Sequence, residues 1–382
     1  MAGSQFGKIF HISTFGESHG KALGVVVDGC PAGLSLSEED IQEMLERRRP
    51  GKNLKMTQRK EGDKVEILSG IFEGKTTGTS IAMVVWNEDQ RSKDYGEIAH
   101  AFRPGHADYG FFAKYGFRDY RGGGRSSGRE TIARVAAGAI AKKMLLELGV
   151  SVRAKVIELA GISLTEDRQK AELLAEQKIL SLREQGDSAG GVVECLVEGL
   201  PAGIGEPVFD KLDASLAKAV MSIGAVKSVE IGDGIEVSKS LGSENNDAFF
   251  LMEEKDYESE EKERDAAGKD SCPHSLLEGT TSFEGKLKKG SNHSGGILGG
   301  MSDGSTIRIR ASFKPTPSIS KPQQTVNEAG EEITIAIKGL HDPTVVERAN
   351  VVVEAMTALT VLDAMLENLS ARLDYVKRAY RR

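Results

Sequence analysis

The sequence predicts an α+β fold, and two observations carry that reading. Short β-like runs mix with helical segments, and the two do not alternate in the strand–helix–strand order of a doubly wound sheet. No Gly-rich stretch matches a nucleotide fingerprint either: there is no GxxxxGKS/T, and no GxGxxG that closes a strand and opens a helix. A Rossmann cofactor domain is therefore not expected. The β-like runs stand at 23–27, 65–68, 81–85, 192–197 and 306–309, and the helical ones at 37–48, 131–148, 165–185, 211–221 and onward from Thr344. In the 131–148 helix, Ile132, Val135, Ala136, Ala139, Ile140 and Met144 share one face, with Gly149 as the stop. Val352, Ala355, Met356, Leu359, Leu362, Leu366 and Leu369 form the apolar stripe of the last helix.

At 382 residues the chain can bury a substantial core, and it reads as one body, 1–382, with one insertion. Between about 243 and 289 the composition turns dense in charge and poor in apolar residues, predicting a solvated surface insertion. A net charge of −7 argues against a nucleic-acid partner. The basic residues gather instead in short clusters such as Arg47-Arg48-Arg49, which suits small anionic ligands. Cys30, Cys195 and Cys272 are odd in number and widely spaced, so they read as free thiols of a reducing compartment. The N-terminus lacks an apolar h-region, and no apolar run is expected to span a bilayer; the expected setting is cytoplasmic, away from membranes.

The stretch 121–130, RGGGRSSGRE, carries the most chemistry. Gly122, Gly123 and Gly124 let the backbone turn tightly and expose N–H groups. Ser127 and Glu130 have capping-box spacing before the helix, and Arg121, Arg125 and Arg129 add three charges at its positive end. Phosphate is the natural ligand for such a place. The bland alternative is a capped surface helix after a flexible loop.

Two of the seven histidines sit among small residues that would let a ligand reach the imidazole: His19 in FGESHG and His106 in RPGHAD. Together they favour proton transfer near neutral pH, with Arg103 holding an anion beside His106. His293 lies in a third such stretch, NHSGGILGG. None has metal-ligand spacing, so no protein-bound metal is expected. Lys314 in FKPTPS offers a cation and two hydroxyls on a proline-stiffened backbone. Asp342, followed by Pro343, reads as an N-cap with a first-turn proline, a role compatible with a proton relay.

FGESHG, RRRPG, RPGHADYG, RGGGRSSGRET, MSIGAVKSVEIGDG, NHSGGILGG, KPTPS and HDP, in this order and spread end to end, resemble the chorismate synthase family. The resemblance implies a β-α-β sandwich in which two antiparallel sheets enclose helices, assembled as a homotetramer. It implies the conversion of 5-enolpyruvylshikimate 3-phosphate to chorismate, with loss of phosphate and a C6 hydrogen. Reduced FMN is needed without net redox change, and NADPH is a reductant acting through a separate flavin reductase. By the same resemblance Arg125, Ser126, Ser127, Ala225, Gly299 and the run Lys314, Pro315, Thr316, Pro317, Ser318 bind FMN. His19 and His106 become the acid/base pair, Asp342 assists proton removal, and Arg48 and Arg103 bind substrate, with Arg48 also linked to NADPH.

The chain departs from that pattern at Leu340, where arginine is usual, at Gly224, where asparagine is usual, and at Asn53-Leu54-Lys55, where a further arginine is usual. Two rivals from other classes stand beside this reading. One is a flavin oxidoreductase with net hydride transfer, the other a silent paralogue binding phosphorylated metabolites. No additional domain is evident, so the protein reads as monofunctional.

Overall fold

The computed structural model describes residues 3–49, 62–87, 99–120, 123–251, 287–337 and 342–381. Two five-stranded antiparallel sheets form its outer layers. The first orders its strands Gln5–Phe6, His11–Gly16, Ala22–Asp28, Ile81–Trp86, Val65–Ile67. The second orders them Val226–Ile231, Ile307–Phe313, Gly191–Glu198, Ser151–Leu159, Ile162–Ser163. Strand Gly191–Glu198 shows why one face turns inward: Val193, Cys195 and Val197 are buried, while Val192, Glu194 and Leu196 between them are only partly so.

Helices fill the space between the sheets. Thr131–Glu147 packs on the first sheet, Val346–Asn368 on the second, and the two helices pack on each other. Their backbones approach closely at Gly138, where a Cβ would lie 2.4 Å from the Ala355 Cβ and 2.7 Å from its Cα. This is the sandwich with enclosed helices that the family resemblance implies.

Val346–Asn368 is long and apolar enough to cross a bilayer, contrary to the expectation that no run would be. It is covered by protein on nearly all sides instead, with residues 351–362 buried without a break. Its predicted stripe is therefore only part of the story, and Leu369, placed on that stripe, is exposed. Glu354 is the helix's one buried charge among the described residues. Both its oxygens take a guanidinium N–H of Arg47, at 2.7 and 2.9 Å, and it is joined by Lys142 and the Ala154 amide. One carboxylate thus ties the first helix, Glu38–Arg48, to both core helices and the second sheet.

Cys30 and Cys195 are free and buried. Burial pushes their thiols up to about 11 and about 12, so neither is a reactive thiolate near neutral pH. Cys272 lies outside the described residues.

The predicted insertion 243–289 has a built stem. Phe249–Leu251 pairs antiparallel with Leu287–Lys289, and Asp247 meets Lys289 at 2.9 Å with both side chains 2% exposed. The two described ends are otherwise mostly exposed, as expected of a solvated segment, but Asp247 is anchored: it also accepts from the His293 and Ser294 amides and from the Ser291 and Ser294 hydroxyls. The charged centre of the insertion lies outside the described residues.

Candidate active site

Segment 123–131 enters the first core helix from between the two histidine motifs. Gly124–Ser126 and Gly128–Glu130 each form a single 3-10 turn, and the α-helix starts at Thr131. Ser127 caps as predicted, its Oγ accepting from the Arg129 amide at 3.3 Å. Glu130 does not complete a capping box; its carboxylate takes Arg134 Nε at 2.9 Å, an i,i+4 pair that competes successfully for it.

His106 sits at the end of a tight turn. The Arg103 carbonyl accepts from the His106 amide at 3.2 Å, Pro104 sets φ at the second position, and Gly105 takes φ +66° at the third. Those are the requirements of a type II turn. A Cβ on Gly105 would lie 3.3 Å from Pro317 and 3.7 Å from Lys314 Nζ, and that ammonium donates to the Gly105 carbonyl. On its other side, His106 Nε2 lies 3.5 Å from where a Gly123 Cβ would stand. The turn, the Gly-rich loop and the KPTPS run are thereby in contact.

His19 is tied to the same loop by a relay. Its turn closes through the Gly20 amide to the Glu17 carbonyl at 3.1 Å. Asn87 then donates to the Glu17 and Gly20 carbonyls, at 3.1 and 2.7 Å, and its own oxygen accepts from Arg129 at 2.8 Å. Arg125 reaches the strand before His19, donating to the Gly16 carbonyl at 3.0 Å and to Thr14 Oγ1 at 2.7 Å. Ser18 Oγ and Thr316 Oγ1 are buried with no hydrogen-bond partner among the described residues. Orphaned hydroxyls of this kind are uncommon in a finished interior.

Arg48 and Arg103, predicted to bind substrate, are both buried and both hold carboxylates. Arg48 meets Asp63 at 2.7 Å and donates to the Gly128 carbonyl at 3.3 Å, beneath the loop. Arg129 approaches the same Asp63 at 3.2 Å. Burial works to raise the Asp63 pKa, but the Arg48 and Arg129 guanidiniums outweigh it and hold the carboxyl below its ordinary value. Arg103 forks onto Asp108 through Nε and Nη2, each at 2.7 Å. Burial likewise opposes ionisation of Asp108, yet bonds from Arg103 and His106 hold it well below the usual carboxylate range.

The basic cluster predicted to meet small anions is thus used internally: Arg47 pairs with Glu354, Arg48 with Asp63, and Arg49 with Glu46 at 3.2 Å.

Asp342 does not cap the long helix, which begins four residues later at Val346. Thr344 Oγ1 accepts from the Val346 amide at 3.4 Å instead. Asp342 pairs with Arg348 at 2.5 Å, and Arg348 Nε donates to the Arg48 carbonyl at 3.1 Å. Among the described residues, Arg48, Arg129 and Arg348 stand around Asp63 and Asp342, a floor rich in guanidinium groups.

Of the remaining predicted residues, Ala225 holds φ +73°, and its carbonyl accepts from the Lys314 amide at 2.9 Å, beside the KPTPS run. The Thr316 carbonyl accepts from Ser188 Oγ at 2.7 Å. Ser126 Oγ donates to the Gly123 carbonyl at 2.7 Å; Pro315 is exposed and Ser318 is half-buried. Gly224 faces open space, so an asparagine side chain would fit there. Gly299 does not join the others. It turns the hairpin of Ile297–Leu298 and Met301–Ser302 beside Leu212, at the Ile307 end of the strand whose other end leads to Lys314. That strand separates them by roughly 20 Å. Leu340, the Asn53–Lys55 stretch, Arg121 and Gly122 lie outside the described residues.

Sequence reading missed Asp63, Asn87 and Arg348, and quoted Asp108 only as part of a motif. Asp63 and Asn87 act through partners distant in the chain, whereas Asp108 bonds Arg103 and His106 within five residues and Arg348 bonds Asp342 within six.

Comparison with known proteins gives the family of the chain. The family model described as chorismate synthase matches residues 10–366. A protein of Lachnoclostridium phytofermentans named chorismate synthase is 56% identical, with all of both chains covered. One of Methanosarcina mazei with the same name is 51% identical over 96% of this chain and 97% of its own. A solved structure titled as the crystal structure of chorismate synthase superposes with a TM-score of 0.69 at 29% identity, covering 98% of this chain and 97% of that one.

Proposed function

The chain belongs to the chorismate synthase family, and on that premise we propose that the 123–131 segment and the motifs around it form the active site. Its reaction in this reading is the 1,4-elimination of phosphate from 5-enolpyruvylshikimate 3-phosphate, giving chorismate. The observation that supports it most is the convergence of both histidine motifs on one anion-binding loop. His106 Nε2 abuts Gly123, and the turn of His19 hangs from Arg129 through Asn87.

The residues fit a flavin mononucleotide. Gly105 and Gly123 keep open a cradle that Cβ atoms would narrow against Pro317, Lys314 and His106. The orphaned Thr316 hydroxyl and the Ser127 hydroxyl, which accepts from the Arg129 amide, supply donors of the kind a phosphate or ring edge takes. When bound, reduced FMN supplies transient electron density to the substrate without net oxidation. Arg125, Ser126, Ser127, Ala225 and the run from Lys314 to Ser318 would hold it. Gly299 would join that site from a neighbouring copy in a homotetramer.

The chain's own groups account for the rest. The guanidinium floor of Arg48, Arg129 and Arg348 favours a substrate with two carboxylates and a phosphate and, still more, the phosphate as it gains charge on leaving. Asp63 and Asp342 hold those cations in place, so no reorganisation is needed when the charge develops. His19 protonates the departing phosphate, and His106 Nε2, beside the Gly-rich loop, exchanges a proton with the group bound there. Asp342, steadied by Arg348, assists removal of the C6 hydrogen. Product analysis tests the reading: with dithionite-reduced FMN under argon, chorismate and phosphate should appear in equal amounts. Substrate bound but unchanged would show a silent paralogue.

A further inference from the structure

Among the described residues, Asp108 contacts both functional side chains of its motif. Its Oδ2 accepts from the Arg103 backbone amide at 3.1 Å and from Arg103 Nε at 2.7 Å. Its Oδ1 accepts from Arg103 Nη2 at 2.7 Å and lies 2.9 Å from His106 Nδ1. Its side chain is 5% exposed, and the carboxyl stays ionised under these contacts.

An ionised carboxylate has no proton to offer, so in that contact Nδ1 is the donor. The opposite tautomer would set a nitrogen lone pair against a carboxylate oxygen at hydrogen-bond distance. Neutral His106 therefore carries its lone pair on Nε2, the nitrogen turned toward Gly123. Among the described residues, three further charged groups lie near the pair. Arg118 Nη1 approaches Asp108 Oδ1 at 3.5 Å, Glu328 faces Arg118 at 3.6 Å, and Lys314 is held by the Gly105 carbonyl.

We propose that Asp108 is a positioning residue for the reaction: one carboxylate sets the tautomer of His106 and the orientation of the Arg103 fork together. The coupling follows from the turn. Arg103 and His106 are its two ends, and Asp108 grips both from the first residue of the helix Asp108–Tyr115. Loosening that grip would misplace a proton and a cation at once.

The kinetic arm of the test rests on the function proposed above; the spectroscopic arm does not. In imidazole nitrogen spectra of the whole wild-type protein, with His106→Gln used to assign the signal, neutral His106 should show the Nδ1–H pattern. In Asp108→Asn the side-chain amide can turn its NH2 toward Nδ1, and the pattern should shift to Nε2–H. With 5-enolpyruvylshikimate 3-phosphate and reduced FMN, Asp108→Asn should lose on the order of 10²-fold or more in kcat. KM should rise as well, since the Arg103 fork loses its anchor. Asp108→Glu keeps the carboxylate and should recover part of both. A purely structural residue would lower the melting temperature and the active fraction while leaving KM unchanged.

Should Asp108→Asn not fold, the wild-type tautomer decides alone. Wild-type His106 in the Nε2–H form would overturn the proposal, as would an Asp108→Asn enzyme with kcat and KM within about threefold of wild type. A wild-type protein that shows the Nδ1–H form yet makes no chorismate would overturn the proposed function and leave the tautomer assignment standing.

Discussion

Arg48 and Asp63 form an ion pair at 2.7 Å in which both side chains are at most 2% exposed. Such a pair does more for geometry than for stability, since desolvation consumes most of the attraction. Its orientation is informative: Asp63 also draws in Arg129, which supports the turn of His19 through Asn87. Removing the charge alone should therefore be felt at a distance. Asp63→Asn should destabilise the fold by about 3–5 kcal/mol, the usual cost of leaving a buried partner uncompensated. It should also raise KM for the anionic substrate, because two guanidiniums lose their fixed position. Chemical denaturation and steady-state kinetics on the same preparation check both effects.

The two histidines give the second prediction. A positioned acid or base contributes typically ~10²–10⁴-fold to rate. His19→Ala and His106→Ala should each lose turnover on that scale while melting close to wild type. Near wild-type turnover in either variant would remove that histidine from the mechanism.

For the insertion, excision should be tolerated only inside the stem. Replacing 252–286 by a short Gly/Ser linker should leave turnover nearly unchanged, since the hairpin pairing of Phe249–Leu251 with Leu287–Lys289 remains. Asp247→Ala should be far worse, because Lys289 and the 291–294 turn lose their common acceptor. Thermal melts of the two variants separate the cases, and equal melting temperatures would show that the stem is dispensable.

Gly138 tests the helix crossing. Alanine would gain about 1 kcal/mol of helix propensity over glycine. Its Cβ, however, would meet the Ala355 Cβ at 2.4 Å and backbone at 2.7 Å, which forces the helices apart. Overpacking of that kind costs about 1–3 kcal/mol or more. Gly138→Ala should accordingly lower the melting temperature, whereas Gly149→Ala, whose Cβ meets nothing, would suffer only the strain of its φ of +76°.

Acid should unfold the protein through its buried carboxylates. Burial opposes ionisation of Glu354, but Arg47 and Lys142 outweigh it and lower its pKa from 4.5. Asp63 and Asp108 are lowered from 3.8 in the same way. A group with a depressed folded-state pKa stabilises the fold fully above its unfolded value and loses that contribution as pH falls toward the folded one. Stability should therefore stay level from neutrality to about pH 5 and decline progressively below it. Denaturation midpoints across that range give the profile, and Glu354→Gln should flatten its upper part.

Much of the fold was legible because periodicity is local. The 131–148 helix and its glycine stop stand within a residue of the observed element, and strand runs at 23–27, 81–85 and 192–197 lie inside real strands. Strand Ser151–Leu159 escaped notice because Arg153, Lys155 and Glu158 interrupt its apolar residues. The capping roles read into Glu130 and Asp342 failed for one reason: an arginine made a stronger bond to each carboxylate than a helix end offered. In the site, short glycine-bracketed motifs announced the histidines and the Gly-rich loop. Asp63 and Asn87 stood unannounced, since their meaning arises only where distant segments meet, while Asp108 lay inside its own motif.

The central claim is that this site makes chorismate with a flavin that is not consumed. The most direct test supplies 5-enolpyruvylshikimate 3-phosphate in large excess over a trace of chemically reduced FMN under strict anaerobiosis, and counts chorismate per flavin. The account predicts many chorismates for each flavin, with the flavin still reduced at the end. One oxidised flavin for each product, or no chorismate at all, would contradict it.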